Sequence, residues 1–149
     1  MYKHILIPTD GSELAQKGVE QGLGLAKALG VRITVVIATD AYPLAGLTIG
    51  AGWVPTVEEM HSFDAAQKQF ADQIFSRIIE SAAAIGVAVE TIQVPNSRAA
   101  SAILQVATER ACDLIVMASH GRRGVGRLLL GSQTAEVLAH SPVSVLVVK

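Results

Sequence analysis

The run Asp113-Leu-Ile-Val-Met-Ala-Ser-His120 is followed by GRRGVGRLLLGS over 121–132, QTAEVLAH over 133–140 and SPVSVLVVK over 141–149. An uninterrupted apolar strand passes through a polar turn and a basic, glycine-bearing loop into a helical pattern, and then into a second apolar strand. Strand, loop, helix, strand is the repeating unit of a parallel α/β sheet. Gly131-Ser132 marks the opening of the helix and Pro142 stops it. Backbone N–H groups at a glycine turn and a helix start, with Arg122, Arg123 and Arg127 close in sequence, suit an anionic ligand.

The same unit recurs towards the N-terminus. Residues 5–7, 33–37 and 114–117 are short, β-branched apolar runs of the kind found in strands covered on both faces, and 87–94 and 143–148 are two more. Helical patterns lie between them. Asp10-Gly-Ser-Glu13 offers an N-cap for a helix reaching Leu29-Gly30. Thr56-Val-Glu-Glu59 is a capping box for a longer helix, with an apolar stripe of Phe63, Phe70, Ile74, Ile78, Ala82 and Ile85 that stops at Gly86. Asn96 or Ser97 starts a third helix, with Ile103, Val106 and Ala107 on one face, and 132–139 form the fourth. Strict alternation with right-handed crossovers predicts a doubly wound, mostly parallel, five-stranded α/β sheet with helices on both faces, forming one domain over 1–149. The stretch 40–55, DAYPLAGLTIGAGWVP, fits neither period. It reads as a long apolar loop suited to a lid or an interface, with Trp53 in that role.

Composition narrows the function classes. Half of the 149 residues are hydrophobic and 17% are charged, which excludes disorder and leaves ample material for a core. A net charge of −1 argues against nucleic acid as a partner, and 4% aromatics leave little for base-stacking platforms. No apolar run approaches the roughly 18 residues of a membrane span, and MYKHILIPTD lacks the features of a signal peptide. With its one cysteine, the chain is expected in the cytoplasm, and Cys112 beside a strand reads as a small buried filler.

The segment Ala118-Ser-His-Gly121, separated by nine residues from Gly131-Ser132, resembles the Gly-x2-Gly-x9-Gly-Ser/Thr phosphate-binding segment of the universal stress protein family. The likeness extends over essentially the whole chain. It implies strand order 3-2-1-4-5, with the reversal of direction between the first and fourth strands. Ligands of open α/β sheets bind outside the carboxyl ends of the strands at such a reversal. Carried over to this sequence, the resemblance implies an adenine-nucleotide site, with ATP as ligand and ADP or AMP as relatives of it. Pro8, Thr9 and Asp10 would flank the adenosine and phosphates, and Ala38 would meet the adenine through its backbone. Met117, Ala118 and Gly121 would line the ribose and phosphate side, while Gly131, Ser132, Gln133 and Thr134 would hold the phosphates. Magnesium could accompany a triphosphate, with Asp10 as its protein contact. The family further implies a role in stress response and a homodimer through residues 143–148, whose edge-strand N–H and C=O groups can template pairing.

Ala118 stands where the family has its first glycine. A positive φ there would cost alanine about 1 kcal/mol, so weakened rather than abolished binding is expected. A P-loop is excluded because Arg127 and Leu128 replace its Lys-Ser/Thr, and no Gly-x-Gly-x-x-Gly follows the first strand. Asp10, Ser119 and His120 invite a catalytic triad, but nothing resembles a nucleophile elbow, and His120 reads as lining the site or donating a hydrogen bond. His4, His61 and His140 show no metal-ligand spacing. Two alternatives stay open beside nucleotide binding: a nucleotide-free dimeric signalling or interaction module, and a slow ATPase. No residue is arranged as a base to activate water.

Overall fold

Parallel strands buried on both faces need apolar side chains in both directions, and the short Ile/Leu/Val runs supply them. The computed structural model describes residues 1–43, 54–120 and 130–149. In chain order the elements are β1 (His4–Pro8), α1 (Glu13–Leu29), β2 (Arg32–Ala38), α2 (Val57–Ala84), β3 (Val89–Val94), α3 (Ala99–Glu109), β4 (Leu114–Ala118), α4 (Ser132–His140) and β5 (Ser144–Val148). The sheet runs β3-β2-β1-β4-β5, and each neighbouring pair is parallel. Alternation divides each strand between two cores. Ile5, Ile7, Ile33, Val35, Ile37, Leu114 and Val116 pack under α1 and α2. Leu6, Val36, Ile115 and Met117 pack under α3 and α4. No helix among the described residues is long and apolar enough to cross a membrane.

The sheet opens between β1 and β4. β1 pairs with β2 through five residues, but its register with β4 holds only at Ile5↔Leu114 and Leu6↔Ile115. The reason is chemical. Asp113 N–H donates to the His4 carbonyl, so the backbone groups of His4, Leu6 and Pro8 face β4, while Thr9 N–H turns the other way to the Val36 carbonyl. The next rung of the β1–β4 ladder would run from the N–H of residue 8 to the Val116 carbonyl, and proline has no N–H to give. The paired register of β1 with β4 ends at Leu6, while β4 continues to pair with β5 through Ala118.

Helix α1 closes one face over this opening. A Cβ on Gly18 would stand 3.0 Å from the Ala118 nitrogen, and one on Gly22 would collide with the Ile7 side chain. Two glycines one turn apart thus let α1 lie against the ends of β1 and β4. Its N-cap is Ser12, whose hydroxyl accepts from Ala15 N–H, rather than Asp10. Asp10 Oδ1 accepts from Ser12 N–H at 3.0 Å, an Asx-type turn that needs Gly11 at φ 77°. The capping box of Thr56 and Glu59 forms as expected, but the buried side chains of α2 are Ala71, Phe75, Ile78 and Ala82. Of the expected stripe, Ile78 and Ala82 are buried and Ile74 and Ile85 pack partly buried against the core, while Phe63 and Phe70 lie on the first half of α2, outside it. The third helix begins with Arg98 at its N-cap rather than Asn96 or Ser97, and Asn96 instead takes a left-handed turn at φ 53°.

At the opposite pole His4 is part of the core. Its Nδ1 donates to the Arg110 carbonyl at 3.0 Å, and Nε2 lies 2.8 Å from the Thr34 hydroxyl, which also reaches Glu90 at 3.0 Å. Cys112 beside it is buried, and burial pushes its thiol up to about 11, as suits an inert filler.

Two predictions follow from these positions. Pro8→Ala restores the missing donor, and the residue 8 amide is expected to become protected in hydrogen exchange as the β1–β4 ladder gains a rung. An unprotected amide would show that something other than proline keeps the strands apart. Burial, and then the Arg32 charge, hold the His4 pKa below its ordinary value. The unfolded ring binds a proton below about pH 6.5 while the folded ring does not, so stability is full above that pH and falls as the pH drops towards the lowered folded value. Urea midpoints between pH 7.5 and 5.5 are expected to decline, and to decline less in His4→Gln.

Candidate functional site

Because each helix returns antiparallel to its strand, the helix N-termini gather at the carboxyl ends of the strands. The split between β1 and β4 lies at that pole. It holds a cavity of about 420 Å³, within the roughly 300–1,000 Å³ typical of small-molecule sites. Of the residues expected at the site, Pro8, Thr9, Asp10, Ala38, Met117, Ala118, Gly131, Ser132, Gln133 and Thr134 all line it. Gly121 lies outside the described residues, as do Trp53, Arg122, Arg123 and Arg127.

One wall is the end of β2. Thr39 N–H donates to the Val94 carbonyl and Ser97 N–H to the Thr39 carbonyl, so Thr39 faces β3. Ala38, one residue earlier, faces the other way, towards the split. Among the described residues neither its N–H nor its C=O has a hydrogen-bond partner there, because β1 has ended at Pro8. An extended residue thus presents one donor and one acceptor side by side to the cavity.

The other wall is the start of α4. Ser119 N–H donates to the Val148 carbonyl at 2.8 Å, and Gly131 N–H donates to the Ser119 carbonyl at 2.9 Å. Gly131 is the N-cap in an ordinary conformation (φ −59°) and, as a glycine, has no side chain with which to cap the helix. Its Cβ position is 3.1 Å from the Ser119 oxygen, so any side chain here would press on that carbonyl. The first N–H groups of α4 have no intrahelical acceptor. α1 has the Ser12 cap, and α3 borrows the Gln133 side chain, whose Oε1 accepts from Ala100 N–H at 2.9 Å. Gln133 therefore offers its backbone to the cavity while its side chain is engaged. The Thr134 hydroxyl is likewise committed, donating to the Ala118 carbonyl at 3.2 Å from a buried position. The Gln133 Oε1 and the Thr134 hydroxyl both help to fix α4 against its neighbours, and the Gln133 Nε2 takes no part in that contact. Ser132 is exposed at the first helical position.

Ala118 lies within β4, and the only described non-glycine residues with positive φ are Asn96 and Ala111. The backbone strain considered for alanine is therefore absent, and only its methyl remains.

Asp40, Phe70, Ser97 and Arg98 are among the lining positions that escaped the sequence reading. Asp40 follows β2, and Ser97 and Arg98 precede α3, all at carboxyl strand ends where the general rule for open sheets would have pointed. Phe70 of α2 carried no such signal, because its place depends on how far that helix reaches past the sheet. Arg98 is paired with Glu136 at 2.7 Å, which leaves Asp10 and Asp40 as acidic groups at the rim. Among the described residues no three His, Cys, Asp or Glu side chains group to hold a metal ion.

The family model for the universal stress protein family matches residues 1–149. A universal stress protein of Thermus aquaticus is 34% identical over the full length of both chains. Universal stress protein MJ0531 of Methanocaldococcus jannaschii is 29% identical, over all of this chain and 83% of its own. Among solved structures, UspA from Lactobacillus plantarum superposes with a TM-score of 0.82 at 22% identity, covering 99% of this chain and 98% of that one. A universal stress protein in complex with cAMP gives 0.71 at 22% identity, covering 99% and 97%. The Archaeoglobus fulgidus protein in complex with dAMP gives 0.66 at 17%, covering 99% and 98%. At these identities the structural likeness is one of fold.

Proposed function

The chain belongs to the universal stress protein family, and from that premise we propose that the β1/β4 crevice binds an adenine nucleotide, ATP foremost. The observation that carries the reading is the pairing of two complementary ends in one cavity: the unpartnered backbone of Ala38 and the uncapped start of α4. Adenine offers an acceptor at N1 beside a donor at its amino group, which matches the N–H and C=O of one extended residue. Guanine offers the same two kinds of group in reverse order. Phosphate oxygens suit the N–H groups of Ser132, Gln133 and Thr134 and the positive end of the α4 dipole. Two proteins of this fold are described in complex with cAMP and dAMP, so the fold accommodates such a ligand. A magnesium ion would accompany a triphosphate through its phosphate oxygens, with the Asp10 carboxylate at the same rim. The protein would act in the cytoplasm in stress response, as a nucleotide sensor rather than a catalyst.

Ser132→Asp separates binding from folding. An acidic residue in the first turn of α4 favours the helix dipole by roughly 0.3–1 kcal/mol, yet it repels a phosphate. Unchanged or raised thermal stability with at least a tenfold loss of AMP and ATP affinity is expected. Equal affinity in the variant would remove the phosphates from α4. Failure of the unaltered protein to bind ATP, ADP or AMP at millimolar concentration would favour the interaction module.

The same reading includes a homodimer through residues 143–148. Among the described residues β5 pairs only with β4, which leaves its outer edge open, and Leu146 is 42% exposed. Val145 packs on the α3/α4 core and is unsuited to a probe. Leu146→Lys is expected to turn a dimer, seen by light scattering at tens of micromolar, into a monomer. A monomeric unaltered protein would defeat this part of the proposal.

A further inference from the structure

At the amino ends of the strands, away from the crevice, His4 of β1, Thr34 of β2 and Glu90 of β3 touch in a row. Thr34 and Glu90 stand opposite each other in the β2–β3 register. The row starts at the C-terminal end of α3, where the Arg110 carbonyl accepts from His4 Nδ1 at 3.0 Å. His4 and Thr34 are buried, whereas Glu90 and Arg110, paired at 3.2 Å, are half-exposed.

The row is one hydrogen short. A carbonyl only accepts, so Nδ1 carries a hydrogen, and Nε2 of the neutral ring is then an acceptor. Nε2 lies 2.8 Å from the Thr34 hydroxyl, which is 3.0 Å from Glu90 Oε2. Threonine has one hydroxyl hydrogen for these two acceptors. With a neutral ring and an ionised carboxylate, three contacts share two hydrogens. A proton on Nε2 adds the third: the ring then donates to Thr34, and Thr34 donates to Glu90. The other charged groups around the ring are Arg32 beside it on β2, Arg110 after α3, and Asp113, whose carboxylate accepts from the Lys3 and His4 N–H groups. The Cys112 thiol stays neutral. We infer that His4, Thr34 and Glu90 form a proton-operated latch: protonation of the ring turns the Thr34 hydroxyl from His4 to Glu90 and joins β1, β2 and β3 through one chain of side chains. Among the described residues β3 pairs only with β2, so the latch reaches the sheet edge, where half-exposed Glu90 meets solvent. Burial and then Arg32 lower the His4 pKa, so the latch is open at neutral pH and closes in acid. Burial of the charge outweighs the added bond, and the fold still loses stability as the latch closes.

Nitrogen and carbon NMR of the protein tests the latch. Near neutral pH the His4 proton is expected on Nδ1, with Nε2 bare. On acidification the Glu90 carboxyl resonance is expected to step at the midpoint of the ring. Thr34→Ser keeps a hydroxyl and should keep that step. Thr34→Val leaves every charge in place and should abolish it, while the ring still titrates. Glu90→Gln, at a half-exposed position, brings an N–H donor to the neutral row and is expected to lower the ring pKa further. A neutral ring with its proton on Nε2, a Glu90 resonance that ignores the ring, or an unchanged ring pKa in Glu90→Gln overturns the inference. A step that survives Thr34→Val also overturns it, because the field of the charged ring then suffices. So does unfolding before the ring gains its proton, since the latch would never close in the folded protein.

Discussion

The parting of β1 from β4 beyond Leu6 shapes the functional end of this protein. Parallel strands at the centre of a sheet are held by evenly spaced hydrogen bonds, and β1 and β4 share only the lower part of such a ladder. Pro8 faces β4 at the next rung and has nothing to donate. The gap that results is bounded by groups that would otherwise have been paired. Ala38 lies beyond the end of β1, and the Ser119 carbonyl at the end of β4 accepts from Gly131 N–H at the start of α4. Reversal of chain direction between β1 and β4 places the gap where no crossover covers it. Two glycines on α1 let that helix close the gap from one face without filling it.

The helix starts around the crevice are satisfied unequally. α1 uses Ser12, α2 uses Thr56 with Glu59, and α3 uses Gln133 from its neighbour. α4 gives its second residue's side-chain oxygen to α3, and its own N-cap is a glycine with no side chain to offer. The exchange ties α3 to α4 and fixes the place of the bare N–H groups, and the Thr134 bond to Ala118 fixes their distance from the strand. Preorganised donors of this kind bind an anion without first being ordered. The same frame explains why Ala118 is tolerable. Its φ is ordinary, so the departure from a glycine motif adds a methyl rather than strain.

Much of this was legible in the chain. Uninterrupted Ile/Leu/Val runs specify strands covered on both faces, and their alternation with capped helices leaves few topologies open. The Gly131-Ser132 helix start and the Pro8-Thr9-Asp10 strand end were visible as motifs. What the sequence could not convey is which donor serves which acceptor. Asp10-Gly-Ser contains two residues able to cap α1, and the left-handed Gly11 turn selects Ser12. Gln133 caps a helix more than 30 residues away in the chain, a partnership that no local pattern records. His4 looked like an isolated histidine, because Arg110 and Thr34 meet it only once the sheet has formed. The overhang of α2 similarly depends on where the core ends, and so Phe70 at the crevice was not foreseen.

The account stands or falls on two ends of one crevice being read by one ligand. Amide chemical-shift mapping with adenosine and then AMP tests this directly. Adenosine should move the Ala38 amide and leave those of Ser132, Gln133 and Thr134 in place, whereas AMP should move both sets together. Shifts confined to other parts of the surface, or movement of the α4 amides by adenosine as much as by AMP, would contradict it.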